Sequence, residues 1–141
     1  MEKKESYRQL ELQVSSLLEG ETDRVANLSN ALAAIQAHFN FFWIGYYLVK
    51  GDELVLGPFQ GPVACTRIAK GKGVCGKVWD QGRPILVPDV DKFPGHIACS
   101  SLSKSELVVP IRDEHKTYGV LDIDSEELNS FDLDDQEGMV S

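Results

Sequence analysis

The sequence has no long hydrophobic run, no basic stretch, no closely spaced cysteine pair and no internal repeat. The N-terminal "MEKKESYRQLELQVSSLLEGE" contains no uninterrupted apolar segment, which excludes a signal peptide or membrane span there and makes the cytoplasm the expected location. Lys and Arg number 14 against 22 Asp and Glu, giving a formal net charge of −8, and the longest basic run is Lys3–Lys4. Nucleic acid and anionic membranes need a basic footprint, so neither is an expected partner. Cys65, Cys75 and Cys99 lie ten and twenty-four residues apart, with no Cys-x-x-Cys among them. An odd set in a reducing compartment does not make a disulfide framework, and zinc sites carry close-spaced pairs, so no metal is assigned.

What is present is an ordinary globular composition, 43% hydrophobic and 26% charged over 141 residues. That length favours one domain spanning 1–141, with an N-terminal helix over 1–20 and a core over 22–141. Tyr7, Leu10, Val14, Leu17 and Leu18, then Val25, Leu28, Leu32 and Ile35, recur at helical spacing and mark two helices, with Thr22 or Asp23 as cap of the second. "FFWIGYYLV" (41–49) reads as a central strand covered on both faces, and Gly51-Asp52 turns into a second, "ELVLGPF" (53–59). A short strand around "CTRIA", a helix over 73–82 ending at Gly82 and a brief strand "PILV" follow. "ELVVPIRD" and "TYGVLDIDS" pair across "EHK" as a hairpin, and "FDLDDQEGMV" begins a capped helix that is either short or cut off at Ser141. The expected fold class is α+β: a central antiparallel sheet with N- and C-terminal helices on one face and a ligand pocket under loops on the other.

The segment 88–105 is long for a structureless connection in a compact domain, and such segments commonly form binding loops. It holds "GHIACSS", which puts Cys99 among polar neighbours and not among core residues. Gly, Pro, Ser and Lys also surround Cys65 and Cys75, and Lys70, Lys72 and Lys77 could favour a thiolate. A thiol–disulfide relay fits this setting, with three inert thiols as the alternative. "LDIDS" places Asp122 and Asp124 on one strand face, and Glu106 opens the adjacent strand, so three carboxylates converge if the hairpin pairs as drawn. Crowded carboxylates raise one another's pKa, which keeps one protonated as an acid; the alternative is a solvated strand end. Trp43 and Tyr47 share a face with Gly45 between them, either leaving a gap for something small or packing as ordinary core. His38, His96 and His115 lack ligand spacing.

These residues occur in an order that resembles a known family. "FFWIGYYLV…LGPFQGPVACTRIAKGKGVCGKVW…VPDVDKFPGHIACSSLSKSELVVPI…GVLDIDS…F", over roughly 25 to 135, closely resembles the free methionine-(R)-sulfoxide reductases, which are GAF-domain enzymes. The resemblance implies reduction of free L-methionine (R)-S-oxide to L-methionine, with no cofactor, thioredoxin as reductant and a homodimer as assembly. It further implies Cys99 as nucleophile, Cys65 as resolving thiol with Cys75 as alternative or second relay, and Glu106 as the acid nearest the sulfoxide oxygen. Asp124 would support Glu106 or bind the substrate ammonium, and Asp122 would be the other ligand of that cation. Trp43 and Tyr47 would wall the methyl and thioether, and the backbone around Ile97 and Ala98 would hold the carboxylate. The competing reading is a non-catalytic GAF sensor of a small molecule. A third is a redox-sensing interaction protein that keeps the cysteines and needs no pocket.

Overall fold

In a computed structural model, the described residues are 3–95, 103–112, 115–128, 130–132 and 135. Two helices open the chain, α1 (Lys3–Leu18) and α2 (Arg24–Phe39). Asp23 caps α2 by accepting a 2.9 Å hydrogen bond from the Ala26 amide, and Asn40, at φ 54°, closes it in the left-handed conformation. The remaining elements are β1 (Trp43–Lys50), β2 (Glu53–Gln60), β3 (Arg67–Ala69), α3 (Gly73–Gln81), β4 (Ile85–Val87), a 3-10 turn (Val90–Lys92), β5 (Ser105–Arg112) and β6 (Thr117–Ser125). The strand expected around "CTRIA" is confined to its last three residues, so Cys65 precedes it in an irregular stretch. The expected helix over 131–140 lies almost wholly outside the described residues.

All strand pairs are antiparallel, in the order β3-β2-β1-β6-β5-β4. The two aromatic and branched strands, β1 and β6, are central, as their two-faced hydrophobicity requires. Alternation along β1 sends Ile44 and Tyr46 to one face, where they pack with Tyr7, Leu10, Leu32 and Ile35 of α1 and α2. Trp43 and Tyr47 face the opposite way and pack with Leu54, Ile68, Val78 and Val108 under α3. Among the described residues, no helix is long and apolar enough to cross a membrane.

The helix-covered face is closed by the chain's last described residues. Phe131 stacks at a tilt on Phe41, with ring centroids 5.7 Å apart. Asp135 is buried and accepts from the Tyr7 hydroxyl at 2.6 Å and from Lys3 Nζ at 2.7 Å. A buried carboxylate with both a hydroxyl and an ammonium partner is well satisfied, so this link ties α1 to the sheet through the C-terminal stretch.

Candidate active site

The pairing register of three strands builds the site. Trp43 of β1 lies opposite Asp124 of β6, and Asp124 opposite Glu106 of β5. One row along, Gly45 lies opposite Asp122, and Asp122 opposite Val108. Because the side-chain period of a strand is two, Trp43, Asp122, Asp124 and Glu106 emerge on one face of the sheet. Over that face runs α3, whose Val74, Cys75 and Val78 are buried. Gly76 lets α3 pack tightly on the turn that precedes it, since a Cβ there would stand 2.7 Å from the Ala69 carbonyl oxygen.

Glu106, Asp122 and Asp124 are 5%, 7% and 8% exposed. The Cys75 Sγ and one oxygen each of Glu106 and Asp122 lie within 4.8 Å of one another, close enough to hold a cation. Asp122 Oδ1 has no hydrogen-bond partner among the described residues. Burial, then the charge of Asp124, pushes Glu106 up to about 8, so it is largely protonated at neutral pH. Burial first and the neighbouring carboxylate second raise Asp122 and Asp124 well above the carboxylate range. A small cavity opens between this acid row, Trp43, Tyr47, Cys75 and Ser103.

Cys65 and Cys75 differ in state. Cys65 is half-buried and disulfide-bonded. Cys75 is a free thiol, 4% exposed. The expectation that lysines promote a Cys75 thiolate is not met: burial, followed by the charge of Asp122, pushes this thiol well up. Lys70 instead lies over the Trp79 ring, and Lys77 donates to the Pro94 carbonyl and covers Phe93. Cys99, Ile97 and Ala98 lie outside the described residues. Ser103 lines the cavity.

The gap expected at Gly45 is also corrected. The Trp43 ring folds back over Gly45, where a Cβ would meet the indole at 2.6 Å and also run into Phe59 Cβ. Trp43 and Tyr47 are stacked with centroids 6.1 Å apart, and Phe59 stacks on the other side of the indole at 5.4 Å. The aromatics therefore form one continuous wall beside the acids, with no slot between the two rings. Phe59, Gly61 and Ser103 had no part in the sequence reading.

A pH dependence of stability follows from Glu106. Its folded pKa lies above the unfolded value, so the folded state binds the extra proton. Stability from this group is fully present below about pH 4.5 and is lost as pH rises through about 8. Glu106→Gln is expected to stabilise the fold at pH 9 by about 2 kcal/mol, several degrees in Tm, with the gain shrinking toward pH 5. Melting curves at both pH values check this; an equal effect at pH 5 and 9 would contradict it.

This fold and its pocket define a GAF domain, and the GAF-domain family model matches residues 21–139. The chain is 58% identical to GAF domain-containing protein A of Dictyostelium discoideum, over 95% of this chain and 85% of that protein. It is 41% identical to the free methionine-R-sulfoxide reductase of Escherichia coli, over 99% of this chain and 85% of that protein. The X-ray structure of free methionine-R-sulfoxide reductase from Neisseria meningitidis in complex with its substrate superposes with a TM-score of 0.95 at 51% identity, covering 99% of this chain and 84% of that one. The chain belongs to the free methionine-(R)-sulfoxide reductase family of GAF-domain oxidoreductases.

Proposed function

We propose that the protein reduces free L-methionine (R)-S-oxide to L-methionine at the cavity over β1, β6 and β5. The observation that carries this reading is the buried row Glu106–Asp124 with Asp122 beside it, aligned with an aromatic wall. A buried cluster of acids is costly without a cation or protons to neutralise it. The substrate's ammonium supplies the former, and the proton on Glu106 supplies an acid. Asp122, with its unpartnered Oδ1, suits the ammonium, and Asp124 supports Glu106 and shares that cation.

In the first step the Cys99 thiolate attacks the sulfoxide sulfur, forming an S–S bond, while Glu106 gives its proton to the oxygen. The hydroxyl then passes to the Cys99 sulfur as the S–O and S–S bonds to the substrate sulfur break, so methionine leaves and Cys99 is oxidised to a sulfenic acid. A resolving thiol then condenses with the sulfenic acid, forming a disulfide and releasing water. Cys65, already disulfide-bonded and only half-buried, suits that role better than the enclosed Cys75. A thioredoxin-type dithiol reduces the disulfide by exchange and completes the cycle in a reducing compartment such as the cytoplasm. The backbone around Ile97 and Ala98 takes the carboxylate. A pocket that uses both charged ends of a free amino acid excludes a peptide-bound residue. The apolar stripes of α1 and α2 leave Leu17 and Val25 exposed, which suits a homodimer.

A thioredoxin-coupled assay following NADPH tests the substrate class. Free methionine sulfoxide is expected to support turnover, and the N-acetylated compound to support less than about a tenth of that, because its ammonium charge is gone. Equal rates with both would contradict the assignment of the acid row to the ammonium. The sensor reading predicts ligand binding with no NADPH consumption.

A further inference from the structure

Residues 61–66, which carry Cys65, form no regular element, yet both ends of this strap are held from below by the aromatic wall. The Trp43 indole N–H donates to the Pro62 carbonyl at 3.0 Å. The Tyr47 hydroxyl donates to the Cys65 carbonyl at 2.9 Å. Gly61, at φ +139°, lies flush on the indole, where a Cβ would stand 2.6 Å from Trp43 Cδ1. The two donors sit four residues apart on one face of β1, and they meet carbonyls three residues apart on the strap. Val63, between the two anchors, is 88% exposed, so the strap has little packing of its own there.

We propose that Trp43 and Tyr47 are positioning residues for Cys65: their two polar atoms clamp the strap and hold its sulfur where the disulfide forms. This rests on the reading of Cys65 as the resolving thiol and assigns the aromatic wall a second task beyond lining the pocket. Tyr47 is 2% exposed, and burial raises its hydroxyl pKa, so it remains a donor throughout the working pH range. A backbone hydrogen bond from the Leu56 amide to the Thr66 carbonyl at 2.9 Å fixes the exit of the strap.

The test equilibrates wild type, Tyr47→Phe, Trp43→Phe and Tyr46→Phe with glutathione redox buffers and measures the oxidised fraction of Cys65 by alkylation and mass spectrometry. Tyr47→Phe removes one hydroxyl and keeps the ring. Loss of one buried hydrogen bond is expected to lower the equilibrium constant for disulfide formation about 5- to 10-fold, with a similar fall in Trp43→Phe. Tyr46→Phe, a buried tyrosine on the opposite face of β1, controls for general loss of stability and is expected to match wild type. Dimedone trapping after one equivalent of hydrogen peroxide is expected to show more unresolved sulfenic acid in Tyr47→Phe than in wild type. Wild-type equilibrium constants in both clamp variants, or an equal fall in Tyr46→Phe, would overturn the proposal. The glutathione readout needs no sulfoxide, so a wild type inactive on methionine sulfoxide would overturn the proposed function and leave this result standing on its own.

Discussion

Cys99→Ser is expected to abolish methionine sulfoxide reduction, and Cys65→Ser to allow about one methionine per active site before stalling. The two outcomes differ because the thiols act at different steps. A serine hydroxyl is not ionised at neutral pH and forms no stable equivalent of a sulfenic acid, so the first step has no nucleophile. Without Cys65 the first step proceeds and the sulfenic acid waits. Cys75, 4% exposed with its thiol protonated by burial and by the acids around it, is poorly placed to replace Cys65. Rapid-quench measurement of methionine per enzyme separates the two: none for Cys99→Ser, a single burst for Cys65→Ser. Steady turnover by Cys99→Ser would contradict the role assignment, and steady turnover by Cys65→Ser would move the resolving role to Cys75.

Glu106→Gln is expected to lower kcat/KM by roughly 10²- to 10⁴-fold, the usual contribution of a positioned general acid. Gln keeps the shape and polarity of the side chain but carries no transferable proton. The wild-type rate is expected to fall as pH rises through about 8, where burial and Asp124 place the loss of the Glu106 proton. That limb should disappear from the residual activity of the variant. Glu106→Asp keeps an acid at a shorter reach and should recover part of the rate. A pH–rate profile of kcat/KM for the three proteins checks all of this. A Glu106→Gln enzyme within about threefold of wild type would remove Glu106 from the chemistry, since a positioned acid contributes far more. The same substitution is expected to stabilise the fold at high pH, so the acid site trades stability for activity.

Much of this arrangement was legible in the sequence because it follows from period-two geometry. "LDIDS" fixed Asp122 and Asp124 on one face, and a hairpin to "ELVV" could bring Glu106 to only one end of them. "FFWIGYYLV" announced a strand covered on both sides, and β1 is central. The misreadings came where tertiary packing overrode local composition. Cys75 has Gly and Lys as neighbours in sequence, yet Val74, Cys75 and Val78 form the inward face of α3, a three- and four-residue spacing that was available as a signal. Gly45 did mark a close approach, but the approaching group is the Trp43 ring itself. Side chains can fold along a strand, and alternation specifies only the face. The clamp on Cys65 had no sequence signature at all, because side-chain donors meeting irregular backbone leave no periodic trace.

The most direct test of the account is an epimer-resolved assay. The reduced protein is incubated with a mixture of free methionine (R)- and (S)-sulfoxides and a thioredoxin reducing system, and the remaining substrate is separated by chromatography. Loss of the R epimer alone, with matching methionine, is the predicted result. Persistence of both epimers, in a folded protein whose thiols titrate as reduced, would contradict the reductase and leave a GAF domain that binds a small molecule without transforming it.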